Sequence, residues 1–205
     1  GNNFTGLNIN NLLTKENIMK LISQMIIAFF ALSIITSCAH MKDHSNKVTF
    51  QEKSFNKNFQ YRSYKGKVFM SGQPTASNLK ELKEKEGVTV VINLRNKTEF
   101  KKLSYNPNND AEKLGLKYYN LPFFNNKEIT QENINAIEAV FMKHHKKGEK
   151  VLVNCSSGNR VGAWFAAHVK TTHKDNNVNK LMTLAKGAGL KSTGLENKLE
   201  AYLKK

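Results

Sequence analysis

Residues 150–172, KVLVNCSSGNRVGAWFAAHVKTT, constrain the fold more than any other stretch. Lys150 to Asn154 centres on Val-Leu-Val, the composition of a strand buried on both faces. Arg160 to Thr172 carries apolar residues at helical spacing and predicts a helix. Only Ser156, Ser157, Gly158 and Asn159 separate Cys155 from Arg160. A strand that runs so abruptly into a helix belongs to a sheet whose faces are covered by helices.

The rest of the chain repeats that alternation. Lys67–Met70 reads as a short strand, and residues 75–86 as a helix with Leu79 and Leu82 on one face and Gly87 as its stop. Val88–Leu94 (VTVVINL) is a second doubly buried strand. Residues 97–115 are polar and hold one or two helical turns, and Lys117–Phe123 is a further strand. Thr130 caps a helix reaching His145, with Ile134, Ile137, Val140 and Phe141 sharing a face. Two helices finish the chain, the last opened by a T-x-x-E capping box of Thr193 and Glu196. The expected architecture is one α/β domain with a central, mostly parallel sheet flanked by helices.

In such sheets ligands bind beyond the carboxyl ends of the strands, and Cys155 stands at one. Loop amides and the first turn of the following helix would converge there on an anion. Gly158 permits the positive φ that turns successive N–H groups inward, and Arg160 adds a planar fork suited to a tetrahedral oxyanion. The same field favours the nucleophilic thiolate form of Cys155. Cys155 and Arg160 are therefore the expected catalytic pair, with Ser156, Ser157, Gly158 and Asn159 as the substrate-binding loop. Arg95 ends the neighbouring strand and is a second source of positive charge, although a surface position suits it equally.

Residues 19–38, MKLISQMIIAFFALSIITSC, join a short basic start to an apolar run and a small-residue zone, the signature of a secretory signal. Ile35-Thr36-Ser37-Cys38 resembles a bacterial lipobox, which implies lipid attachment at Cys38; the Asn-rich residues 1–18 fit poorly ahead of the basic start, so Met19 is the expected true start. Residues 1–37 are thus read as upstream segment and signal, 38–57 as a polar, flexible tether, and 58–205 as the domain. The resemblance places the protein on a membrane outside the cytoplasm, and Ala39 suggests the periplasmic face of an outer membrane.

With 32 Lys+Arg against 16 Asp+Glu the chain has a net charge of +16, which favours anionic partners. The basic residues are dispersed and match no nucleic-acid module, so nucleic acid is not an expected partner. The six histidines show no metal-ligand spacing, and neither metal nor cofactor is expected. Trp164 and Phe165 are expected core residues.

Three stretches in order, VFMSGQPT (68–75), VTVVINLR (88–95) and VNCSSGNRVGAW (153–164), resemble the cysteine-dependent phosphatase superfamily. The nearer likeness is to the phosphatase-like domain of β-lactamase-hydrolase-like proteins. The resemblance implies a protein-tyrosine-phosphatase-like fold, a nucleophilic Cys155, an anion-binding Arg160 and a phosphocysteine intermediate. Three departures qualify it. The family places five residues between cysteine and arginine, whereas this chain has four, closer to the loop of rhodanese-type sulfurtransferases. Asn154 stands where the family has histidine. The stretch 122–128 lacks the family's general-acid aspartate, leaving Glu128 and the more distant Asp110. The expected function is a membrane-tethered cysteine phosphatase acting on an anionic phosphoester. The alternatives are a sulfurtransferase carrying a Cys155 persulfide from thiosulfate or another persulfide, and a non-catalytic anion-binding lipoprotein.

Overall fold

The computed structural model describes residues 49–124 and 129–205. Its strands are β1 (Phe50–Asn56), β2 (Phe59–Tyr64), β3 (Val68–Ser71), β4 (Val88–Asn93), β5 (Lys117–Asn120) and β6 (Lys150–Asn154). They form one sheet in the order β1-β2-β3-β6-β4-β5. From β3 to β5 every pairing is parallel, while β1 and β2 add an antiparallel hairpin at one edge. The chain passes from β3 to β4 across an empty slot that β6 later fills. Cys155 therefore emerges between the ends of two flanking strands.

The helices are α1 (Ala76–Glu81, continued by a π-helical turn over Leu82–Glu86), α2 (Lys97–Phe100), α3 (Pro107–Lys113) and α4 (Gln131–His145). After β6 come α5 (Asn159–His173), α6 (Val178–Gly187) and α7 (Thr193–Leu203). Among the described residues no helix is long and apolar enough to cross a membrane.

Strand alternation sorts the apolar residues onto two faces. Val68, Met70, Val151 and Val153 face α4 to α7, whereas Phe69 and Leu152 face α1 and α3. In β4 a shift in register between Val88 and Val90 sends these two residues to opposite faces. Thr130 caps α4 by accepting from the Asn133 N–H, and Ile134, Ile137 and Phe141 are buried, with Val140 packed at their margin. Trp164 and Phe165 lie in the same core. Trp164 Nε1 donates to the Glu138 carboxylate at 3.0 Å, and His168 closes on its other oxygen at 2.7 Å, which satisfies a buried acid.

Four local features depart from expectation. Residues 50–56, read as tether, form β1, and its apolar contacts are aromatic rather than aliphatic. Phe50 meets Phe165 edge-on at 5.3 Å and Phe55 lies 4.8 Å from Tyr61. The strand drawn to Phe123 ends at Asn120, although the Leu121 and Phe123 N–H groups still follow the carbonyls of Asn93 and Leu94. His144, placed by sequence in a solvated Lys-rich end, is buried between Glu149 (2.6 Å) and the Tyr119 hydroxyl (2.9 Å). Finally, the capping box at Thr193 does not form. The cap is Ser192, so Glu196 falls one residue too deep to reach back and pairs instead with Lys186 at 3.1 Å.

Candidate active site

Asn154, the last residue of β6, pairs with Ser71 on one side and Asn93 on the other, so the chain leaves the sheet between two fixed walls. The Cys155 N–H donates to the Ser71 carbonyl at 3.4 Å. Beyond it, Gly72 bridges to Ser157, and the Gln73 N–H donates to the Ser156 carbonyl at 3.2 Å. Gly158 then turns the chain into α5 with φ of 88°, a conformation that other residues enter at a cost. Its N–H donates to the Cys155 sulfur at 3.1 Å. The first N–H groups of α5 have no intrahelical carbonyl to bond and lie at the positive end of the helix dipole.

Arg160 sits in that first turn with a side chain only 11% exposed. Its Nη1 donates to the Leu94 carbonyl (3.2 Å) and to Glu99 Oε2 (2.7 Å). Its Nη2 donates to Glu99 Oε1 (2.5 Å) and, more distantly, to the Ser156 hydroxyl (3.4 Å). Burial works against the charge on Arg160. Glu99 and, after it, Cys155 more than compensate, so the guanidinium stays firmly protonated.

Glu99 is placed by its own helix: Asn96 caps α2 and Glu99 returns to the Asn96 N–H at 3.0 Å, a capping box. Burial alone would raise the Glu99 pKa. Hydrogen bonds from Arg160 and the Asn96 backbone, with the charges of Arg160 and Arg95, lower it overall. The acid is thus held ionised as a clamp, which suits it poorly to donating a proton.

Beneath the loop is a polar layer. The Gln73 side-chain carbonyl accepts from Asn93 at 3.1 Å, from Arg95 at 3.4 Å and from Asn154 at 3.5 Å. Arg95 is not a surface residue: it is 7% exposed and also donates to the Glu99 carbonyl at 2.9 Å. Asn154 therefore contributes a neutral hydrogen bond below the loop.

The structure brings Cys155, Ser156, Ser157, Gly158, Asn159 and Arg160 into one turn. Ser157, Asn159 and Arg160 line a cleft of about 560 Å³ together with Glu99, Phe124 and Lys198. Cys155 itself is fully buried and is not among the residues that line this cleft. The Asn159 side chain is occupied elsewhere, accepting the N–H groups of Lys191 at 2.6 Å and Ser192 at 2.8 Å and donating to the Ser157 hydroxyl. It ties the loop to the link that follows α6. Asp110 lies in the first turn of α3 and does not line the cleft. Glu128 and Cys38 fall outside the described residues. Among the described residues, no three His, Cys, Asp or Glu side chains converge as a metal site.

Glu99 and Gln73 are the site residues that sequence reasoning passed over. The N-K-T-E box at 96–99 marks a helix start, but nothing in it points to a partner 61 positions later.

No protein-family model matches the sequence, and no curated protein matches it. Solved structures do. PTPMT1 superposes with a TM-score of 0.56 at 20% identity, over 70% of this chain and 94% of its own. A DUF442 phosphatase candidate of Shewanella putrefaciens gives 0.52 at 22%, over 75% and 85%. TpbA of P. aeruginosa gives 0.58 at 12%, over 75% and 88%. The described part of the chain is therefore an α/β domain with the fold of the protein-tyrosine-phosphatase-like proteins.

Proposed function

We propose that the chain is a cysteine-dependent phosphatase acting on an anionic phosphoester. One observation carries the reading: a cysteine that receives the Gly158 N–H opens a loop closed by an arginine that a carboxylate fixes at the start of a helix. In the reaction Cys155 Sγ attacks phosphorus, the P–O bond to the leaving group breaks, and the phosphoryl group rests on sulfur while Arg160 and the loop amides hold its oxygens. Water then cleaves the S–P bond, releasing phosphate and restoring the thiolate. With Glu99 committed to Arg160, the reaction favours leaving groups that depart without a donated proton, such as aryl oxygens. Among the structural neighbours, PTPMT1 has been solved with PI(5)P, which accords with an anionic substrate.

The expected result is phosphate release from an aryl phosphate by the full chain, with Cys155→Ser reducing the rate at least ~10³-fold. Thiocyanate formed from thiosulfate and cyanide, dependent on Cys155, would instead establish the sulfurtransferase chemistry that the four-residue loop suggested. The full burial of Cys155 favours one further reading, a non-catalytic anion receptor. Retained phosphate binding with neither activity would establish it.

The reading extends to location: Cys38 carries a lipid that tethers the domain to a membrane outside the cytoplasm. Cys38→Ala should move the protein from the membrane fraction to the soluble one. Unchanged retention would overturn the lipid anchor.

A further inference from the structure

A second cavity, of about 450 Å³, lies on the β3 side of the loop, whereas the Arg160 cleft opens on the β4 side. Its floor is the loop itself, Ser156 to Gly158, and its walls come from the β1–β2 hairpin and the link between α6 and α7. Three cations line it, Lys57 at the hairpin turn, Arg62 on β2 and Lys191 on the link, and no aspartate or glutamate does. Three like charges around one concave, mostly polar space concentrate positive potential there.

Close approach is built in. A Cβ on Gly189 would stand 3.2 Å from Arg62 Nη1 and 3.3 Å from the Gly158 carbonyl oxygen, so the guanidinium lies against the loop without an intervening side chain. Arg62 Nη2 donates to Glu52 at 2.5 Å, but that carboxylate is 73% exposed, and such a pair is weak enough to yield to a better anion.

The geometry points to a second anion site here, for a compact phosphate-bearing polyanion. Its cationic walls are separate from Arg160 and Glu99, and binding needs no chemistry at Cys155. The hairpin supplies two of the three cations, which gives the strand pair added at the sheet edge a role in recognition.

The test is a calorimetric titration of inorganic pyrophosphate into the full chain carrying Cys155→Ser, so that no turnover intervenes. Pyrophosphate should bind, and Lys57→Glu, a charge reversal on an exposed turn that does not threaten folding, should weaken it at least about tenfold. Lys191→Glu should act in the same direction, and the two together should remove this binding event while leaving any that belongs to the Arg160 loop. Vesicles of phosphatidylcholine with and without phosphatidic acid provide a second arm. Lys57-dependent binding to the acidic vesicles alone would identify the ligand as a lipid headgroup at the same site. Pyrophosphate affinity unchanged within about twofold by both reversals, or binding of neither probe, would overturn the site. Since phosphatase activity is read separately in the wild-type background, loss of this site leaves the catalytic reading standing, and the reverse.

Discussion

Alanine in place of Gly162 is expected to destabilise the domain by about 1–3 kcal/mol net of the roughly 1 kcal/mol that alanine gains over glycine within a helix. The added methyl would stand 2.5 Å from both the Ala185 carbonyl oxygen and the Leu190 N, which bond to each other at 2.9 Å, and 3.0 Å from Leu190 Cβ. Two of the three obstructing atoms are backbone, so no rotamer change relieves the overlap. The hydrogen bond at the end of α6 must part, or α5 must move away from α6. Overpacking costs about 1–3 kcal/mol and a lost hydrogen bond about 0.5–1.5 kcal/mol. Chemical denaturation should show the midpoint falling with the slope unchanged. A loss below about 1 kcal/mol would mean that the α6–α7 link shifts freely. That shift would pull Lys191 and Ser192 away from Asn159, so activity should fall further than the unfolded fraction explains.

Glu99→Gln is expected to lower kcat/KM for an aryl phosphate by about 10–100-fold, equivalent to roughly 1–3 kcal/mol of transition-state stabilisation. Glutamine can keep the third position of the capping box that starts α2, so the helix is retained. What disappears is the paired, charge-assisted grip on both Arg160 nitrogens. The guanidinium is then free to adopt geometries unsuited to a phosphoryl group. Activity within twofold of wild type would show that the Leu94 carbonyl and the loop suffice to position Arg160.

The same substitution has a pH signature. The Glu99 pKa lies below its ordinary 4.5 in the folded protein, because Arg160 and the α2 N-terminus outweigh burial. A depressed carboxylate stabilises the fold fully above its unfolded value and loses that contribution as the pH falls through its folded value. Wild-type stability should therefore decline below about pH 4.5 with a component that Glu99→Gln lacks.

The parallel part of the sheet was legible because β4 and β6 are runs of β-branched residues buried on both faces, and few other structures tolerate such runs. The loop was legible for a related reason, since a strand, a four-residue turn and a helix leave little choice of geometry. The edge hairpin was not. Its apolar pattern rests on Phe50, Phe55, Phe59 and Tyr61 among lysines and serines, so a search for aliphatics passes over it. Glu99 escaped, and Arg95 was left undecided between site and surface, because charged residues in a polar stretch look solvated. Only the fold shows that the chain leaving β4 brings Glu99 against Arg160, which comes 61 residues later in the first turn of α5. The last helix was misplaced by one residue because Ser192 and Thr193 are both credible caps, and Asn159 claims the Ser192 N–H in the folded chain.

The clasp that Asn159 makes on residues 191 and 192 also sets when the site can exist during synthesis. All six strands, the thiol and the guanidinium emerge from the ribosome before the segment that Asn159 grips. The nascent sheet can therefore be assembled while the turn at its centre still lacks its final contour. On the proposed phosphatase reading, an immature chain would thus lack the finished loop that the reaction needs.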